Sequence, residues 1–240
     1  MRAVIRAEGV RKTYRLGESE VHAVDGVSLS VGKGEFLSIV GPSGSGKTTL
    51  LDLLSALLRP TSGEVYIKGE PVSGMDDSKL ARVRGKTIGF IFQKFNLIPR
   101  MTALENVMLP LWFQGVGEGE RRERAEGILA GLGLGDRLEH KPNELSGGQQ
   151  QRVAIARALA VDPEVIVADE PTGNLDSKSG AGVLETIKEL HESQGKTLVV
   201  VTHEDYVAGL ADRKLYIKDG RIEREERRNA KRKAAGSGWK

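Results

Sequence analysis

The 240-residue sequence predicts an α/β fold on a mostly parallel sheet, with a helical lobe let into it. Three observations carry that expectation. Short apolar segments of β type alternate with helical stretches, and strands linked through helices lie parallel with helices on both faces. A Gly-rich loop joins one such strand to one such helix. The middle of the chain, roughly 95–142, reads as helices broken by glycines, with no convincing strand.

In chain order, Ala3–Glu8, Val27–Val31 and Glu35–Val40 read as strands, the last two separated by the Gly32-Lys33-Gly34 turn. A helix is expected from about Gly46 to Leu57, with Leu50, Leu51, Leu53, Leu54, Leu57 and Leu58 on its apolar side and Pro60 and Gly63 ending it. Glu64–Lys68 returns to strand. Helices follow over Ala103–Gln114 and Gly119–Gly131. From Ser146 the alternation resumes: helix 147–160, strand Val165–Asp169, helix 177–193, strand Thr197–Thr202 and a short helix from Glu204. Strands near Lys214–Lys218 and Arg221–Glu225 close the pattern. The expected division is an α/β core of 1–92 and 143–225, a helical lobe of about 93–142, and a basic tail over 226–240.

Composition removes several function classes. There is no cysteine, so disulfides, thiolate metal sites and cysteine nucleophiles are excluded, and a reducing cytoplasm is the natural location. No apolar run approaches the ~20 residues that span a bilayer, and the N-terminus lacks the apolar core of a secretory signal. The last twenty residues hold eight Lys or Arg against three Glu, which exceeds the net +3 of the whole chain. The body is therefore near neutral, and no broad nucleic-acid-gripping face is expected. The tail reads first as a solvated end, with contact to anionic lipid as the alternative.

Gly41-Pro42-Ser43-Gly44-Ser45-Gly46-Lys47-Thr48 fits the phosphate-loop pattern between an apolar strand and a helix. Glycines let successive N–H groups turn inward on a polyanion, and the helix start adds the positive end of its dipole. Lys47 supplies a cation for the β- and γ-phosphates, and the Thr48 hydroxyl can ligate Mg²⁺. A chance Gly-rich turn is the alternative, and the strand–loop–helix context weighs against it. The pattern resembles that of the P-loop NTPases, a resemblance that implies a RecA-like core.

Val165-Ile166-Val167-Ala168 is a buried-strand pattern ending in Asp169-Glu170. Ligands of parallel sheets gather at the carboxyl ends of strands, so these acids should face the phosphates. Asp169 is the second expected Mg²⁺ anchor, and Glu170 is placed to take a proton from the attacking water. An acidic turn is the alternative, but two adjacent carboxylates are costly to desolvate without a cation.

Leu145-Ser146-Gly147-Gly148-Gln149 opens a helix whose Val153, Ala156, Leu159 and Ala160 form an apolar face. Ser146 is a natural N-cap, and the two glycines leave the helix end open to a close ligand. This is a second anion site, while one ATP has a single set of terminal phosphates. The economical occupant is the γ-phosphate of an ATP held by another copy of the chain.

With LSGGQ at 145–149, the sequence resembles the ATP-binding-cassette family over residues 3–225. Tyr14, Gln93 in FIFQKFNLIP, Asn174-Leu175-Asp176 and His203 in VVVTHE fall in that family's order. FQKFNLIPRMTALENVMLPL and ADEPTGNLDS look most like the ATPase subunits of its macrolide-exporter and lipoprotein-releasing branch. The resemblance implies an N-terminal antiparallel β subdomain beside the core, ATP and Mg²⁺ as cofactors, and ATP hydrolysis. It implies that Tyr14 stacks on adenine, that Gln93 touches Mg²⁺ and the attacking water, and that His203 contacts the γ-phosphate. Nucleotide contact extends to Thr49, and across a dimer to Ser146, Gly147, Gly148, Gln149 and Asp176. It further implies a head-to-tail homodimer, and a permease helix held in a groove near Phe95–Pro99, Leu109, Leu111, Trp112 and Phe113. The cassette would then sit on the inner face of the cell membrane. Two rival readings share the ATP motifs. A DNA-repair clamp would carry long coiled coils between Thr48 and Leu145, where no heptads run, and a translation-type clamp would carry two cassettes. A membrane-associated scaffold of the cell-division type differs only in lacking transport.

Overall fold

The computed structural model describes residues 3–17 and 19–228. Strand β1 (Ala3–Leu16) pairs antiparallel with β2 (Ser19–Gly32), and β1 pairs on its other side with β4 (Ser62–Ile67). A short β5 (Glu70–Pro71) extends this four-stranded sheet, in the order β2-β1-β4-β5. The hairpin is far longer than the two segments expected. Gly9, Gly17 and Gly26 have positive φ, and register shifts interrupt the ladder, so the two-residue alternation that marks a strand is scrambled in the sequence.

The second sheet has six strands in the order β10-β9-β3-β8-β7-β6. These are β3 (Phe36–Val40), β6 (Ile88–Ile91), β7 (Val165–Asp169), β8 (Thr197–Thr202), β9 (Arg213–Lys218) and β10 (Arg221–Arg227). All neighbours run parallel except the β9–β10 hairpin. Alternate residues divide between two cores. Leu37, Ile39, Val165, Val167, Val199 and Val201 pack with helix α1 (Lys47–Leu54) and the antiparallel sheet. Phe36, Ile166, Ala168, Leu198 and Val200 pack on the opposite face with α5 (Gly147–Leu159), α6 (Ser177–Glu192) and α7 (Asp205–Gly209). Both faces of β3, β7 and β8 are buried, which is why their sequences read as continuous apolar runs.

Three expected bounds need correction. α1 stops at Leu54, not Leu57: Ala56 adopts φ 55°, and Leu57 is exposed. Gly46 is its N-cap and not its first residue. β10 reaches Arg227, so the tail starts later than 226; the remainder of the basic tail, 229–240, lies outside the described residues. Helix α2 (Asp77–Thr87) and β6 occupy a stretch where no element was expected. α2 buries only Leu80 and Thr87 and is held by its Asp76 cap, so it carries almost no apolar period. β6 is four residues long, and its Gly89 leaves room for the Ala158 carbonyl, 2.5 Å from where a Cβ would stand.

Helices α3 (Ala103–Phe113) and α4 (Glu118–Gly131) form a third core with one side of α5. α3 starts on a capping box between Thr102 and Glu105. Buried Asn106 stitches the preceding loop to the helix by accepting from Ile98 N and donating to the Ile98, Met101 and Thr102 carbonyls. Val153, Ala156 and Ala160 of the α5 segment face this cluster, while Leu159 packs on the sheet side. One helix thus belongs to both bodies.

Candidate functional site

The carboxyl ends of four successive strands, β3, β8, β7 and β6, fan along one edge of the parallel sheet. Each delivers one piece of chemistry: the Gly41–Thr48 loop after β3, His203 after β8, Asp169 and Glu170 at the end of β7, and Gln93 after β6. They surround a cleft of about 620 Å³, with Ser43, Gly44, Gly46, Lys47, Thr48 and Thr49 on one side. Gln93, Asp169, Glu170 and His203 form the other side.

The loop is fixed from behind. A Cβ at Gly41 would lie 2.2 Å from the Ile217 carbonyl oxygen, and one at Gly46, whose φ is 97°, would lie 2.0 Å from that of Ala23. Both contacts are backbone and cannot yield, so only glycine fits. Gly220 N donates to the Ser45 carbonyl at 3.0 Å, and Ser45 itself is buried behind the cleft. Lys47 is buried, and its Nζ donates to the Pro42 carbonyl at 2.8 Å. The loop's curvature is therefore fixed by contacts within the chain, and a loop held in this way lowers the ordering cost of binding a phosphate.

Glu170 stands at φ 43°, an unusual conformation for a non-glycine residue that costs roughly 1–3 kcal/mol and is typical of functional positions. Its carboxylate is gripped from two sides: Gln93 Nε2 donates to one oxygen at 3.1 Å, and His203 Nδ1 lies 3.0 Å from the other. Asn174 Nδ2 donates to the Gln93 carbonyl at 2.7 Å, so the segment after β7 also holds the Gln93 backbone.

The Thr48 hydroxyl lies 3.3 and 3.2 Å from the two Asp169 oxygens. Burial above all pushes the Asp169 carboxyl above its ordinary range; neighbouring Glu170 adds to this, while Thr48 and Lys47 oppose it. Asp52 is also raised, by burial and then by Asp169. Clustered carboxylates with Lys47 beside them, joined to a hydroxyl, form a hard oxygen donor set that calls for a divalent cation. Thr48 and Asp169 would offer the one or two protein oxygens that Mg²⁺ takes, with the rest of its octahedron supplied by phosphates and water.

Other expected site residues lie elsewhere. Ser146, Gly147, Gly148, Gln149, Asp176 and Tyr14 do not line the cleft. Ser146 caps α5 in a reciprocal box with Gln149: Ser146 Oγ accepts from Gln149 N at 3.3 Å, and Gln149 Oε1 accepts from Ser146 N at 2.8 Å. The opening left by the two glycines needs correction at Gly148. It is buried, with a would-be Cβ 2.9 Å from Ser179 Cβ, so its smallness serves close packing of α5 on α6. Asp176 caps α6, and the Ser179 amide above all holds its carboxyl below the usual range. Tyr14 is 39% exposed on β1, beside Val21 of β2. Two contributors were not anticipated. Ala23 lines the cleft from β2, and Asp52 acts on Asp169 from α1; neither carries a sequence signal, because the fold alone brings them there.

The sequence model of a family described as ABC transporter matches residues 24–173. This chain belongs to the ABC transporter family. An uncharacterized ABC transporter ATP-binding protein of Thermotoga maritima is 58% identical over 228 residues, 95% of this chain and 97% of that one. A macrolide export ATP-binding/permease protein of Hyphomonas neptunium is 52% identical over 91% of this chain, which spans only 34% of that longer protein. Among solved structures, a dimeric post-hydrolysis ATP-binding cassette bound to ADP and Pi superposes with a TM-score of 0.87 at 51% identity, covering 93% of this chain and 98% of that one. The fold is therefore that of the P-loop cassette ATPases, and the ABC chain is an ATP-binding, ATP-hydrolysing subunit.

Proposed function

We propose that two copies of this chain close head to tail around two Mg-ATP, and that closure and reopening drive a membrane permease of the macrolide-export or lipoprotein-release type. One observation carries the dimer: the Ser146–Gln149 end of α5, with no acidic residue in its first turn to meet the helix dipole, lines no part of its own chain's nucleotide cleft. The related cassette whose structure is dimeric supports it.

In this reading Gly41–Thr49 and Lys47 hold the triphosphate, and Tyr14 stacks on adenine. Thr48, Asp169 and Gln93 would hold Mg²⁺, which when bound would neutralise charge on the phosphates. Glu170 accepts the proton of the attacking water. Gln93 and His203, already on its two oxygens, orient the carboxylate and the water. Ser146 to Gln149 and Asp176 complete the site of the other copy. Loss of the γ-phosphate removes the bonds to the cap and releases the dimer.

The permease contact is placed at the C-terminal end of α3, where Trp112 and Phe113 are 58% and 75% exposed beside a cleft of about 260 Å³ formed with Phe92, Asn96 and Arg157. Its close relatives include a protein named as a combined ATP-binding/permease chain, which supports a permease partner and a place on the inner membrane face. The test is Glu170→Gln. The variant keeps the cleft and loses the base, so it should elute as a dimer with ATP and Mg²⁺ and as a monomer with ADP. Monomer alone under both conditions would refute the arrangement.

A further inference from the structure

We propose that Gln151 is a positioning residue, tying the catalytic carboxylate of one nucleotide site to the helix cap that completes the other. It rests on the head-to-tail dimer described above. Gln151 lies in the second turn of α5 and is fully buried. Its Nε2 donates at 2.7 Å to the carbonyl of Pro171, the residue directly after Glu170. Its own Oε1 has no hydrogen-bond partner among the described residues. An apolar side chain of similar length would fill the same space but could not donate to that carbonyl. What glutamine adds there is the single bond to Pro171.

That bond holds a segment that is pinned elsewhere to the sheet. Glu170 N donates to the Val201 carbonyl of β8 at 2.9 Å, and Gly173 N closes a turn on the Glu170 carbonyl at 3.0 Å. The backbone of the catalytic residue is thus anchored to the sheet on its amino side and to α5, through Gln151, on its carboxyl side. Gly148 lies one turn before Gln151 on the same face of the helix and is packed on Ser179. That face of α5 therefore bears on 171–179 along its first two turns. A phosphate engaging Ser146 at the tip of α5 shifts the helix against this segment, and Gln151 passes the shift to the peptide that aims Glu170. The two hydrolysis sites of the dimer are then coupled through each chain's own helix.

Gln151→Met keeps length and apolar bulk and cannot donate. Its kcat should fall about tenfold while KM for ATP stays within about twofold, because the bond acts on the reacting geometry and not on ground-state binding. The coupling requires a Hill coefficient for ATP above one in the wild type, and in Q151M it should fall to one. Dimerisation of the Q151M/E170Q double variant with Mg-ATP should match that of E170Q. Wild-type kcat and cooperativity in Q151M would overturn the proposal, as would a joint collapse of kcat, KM and melting temperature, which marks a purely structural role. Should E170Q itself stay monomeric, the dimer reading has failed instead. If Q151M does not melt cooperatively, hydrogen exchange on E170Q decides. Amides of 147–151 and 170–175 should gain protection at one common Mg-ATP midpoint, and protection confined to 147–151 overturns the coupling.

Discussion

Asp169 is half-buried against two other acids, Asp52 and Glu170, an arrangement that stability alone disfavours. Its folded-state pKa is raised, so between the ordinary value of 3.8 and the raised one the folded protein binds more protons than the unfolded chain. Stability from this group is therefore present at low pH and lost as pH rises through that window. Asp169→Asn removes the charge and keeps an acceptor for Thr48. It should raise the nucleotide-free melting temperature at neutral pH by a few degrees, about 1 kcal/mol for a domain of this size. It should also abolish the extra stabilisation that Mg²⁺ adds to ATP. Melting curves of both proteins from pH 4 to 8 test the sign: the gain must shrink towards the acid end, and a variant less stable at every pH contradicts it. At this scale much was legible. Lys47, Thr48, Asp169, Glu170, Gln93 and His203 share one cleft because each lies at the carboxyl end of a strand or on the loop and helix start that follow one, a rule the strand–loop order already expresses. Ala23 and Asp52 were not legible, since their place follows from packing of β2 and α1 and not from residue type.

Elements were readable where burial is two-sided or an apolar stripe is intact. Strands β3, β7 and β8 are buried along their length and were expected close to their observed bounds. The long β1–β2 hairpin and α2 were hidden for opposite reasons: positive-φ glycines and register shifts break the strand alternation, and α2 is polar with only two buried positions. α3 shows the converse, an apolar helix with more apolar surface than its core absorbs. Leu104, Val107 and Leu111 are buried, while Trp112 and Phe113 remain outside. In the proposed permease contact these two aromatics would be the anchors, and truncating an anchor that acts as a hot spot costs about 2 kcal/mol or more, roughly thirtyfold in affinity. Phe113→Asp should leave basal ATP turnover of the isolated subunit within about twofold, because Phe113 lines no part of the nucleotide cleft. It should lower by at least about tenfold the affinity for the proposed permease partner, read by co-purification with the tagged chain. Undiminished co-purification and stimulation would move the permease contact away from α3.

For the whole molecule, the proposed dimer requires energy to pass from a phosphate to a change in the distance between two copies. Moving closure from 1:99 to 99:1 takes about 5.5 kcal/mol, or a little under 3 per site. A helix dipole supplies up to about 2 in a favourable geometry, and a charge-assisted hydrogen bond about 1.5–3, so one good bond from the Ser146 hydroxyl beside the α5 dipole suffices. That hydroxyl accepts from Gln149 N within its own chain, which leaves its proton free to donate outward. Ser146→Ala in the E170Q background should thus weaken Mg-ATP-driven dimerisation roughly a hundredfold to ten-thousandfold, since the bond is lost at both sites. The loss of the cap should lower the melting temperature by about 2–4 °C through α5 alone. Binding of a fluorescent ATP analogue to the monomer should be unchanged, because Ser146 lines no part of the cleft beside it. Analytical ultracentrifugation over a protein dilution series separates the two effects. If the alanine variant dimerises as tightly as its parent, the cap does not bear the closing force, and the work must come from contacts around Asp176. If monomer affinity falls in step with dimerisation, the cap serves its own chain's nucleotide and the two halves of each pocket belong to one molecule.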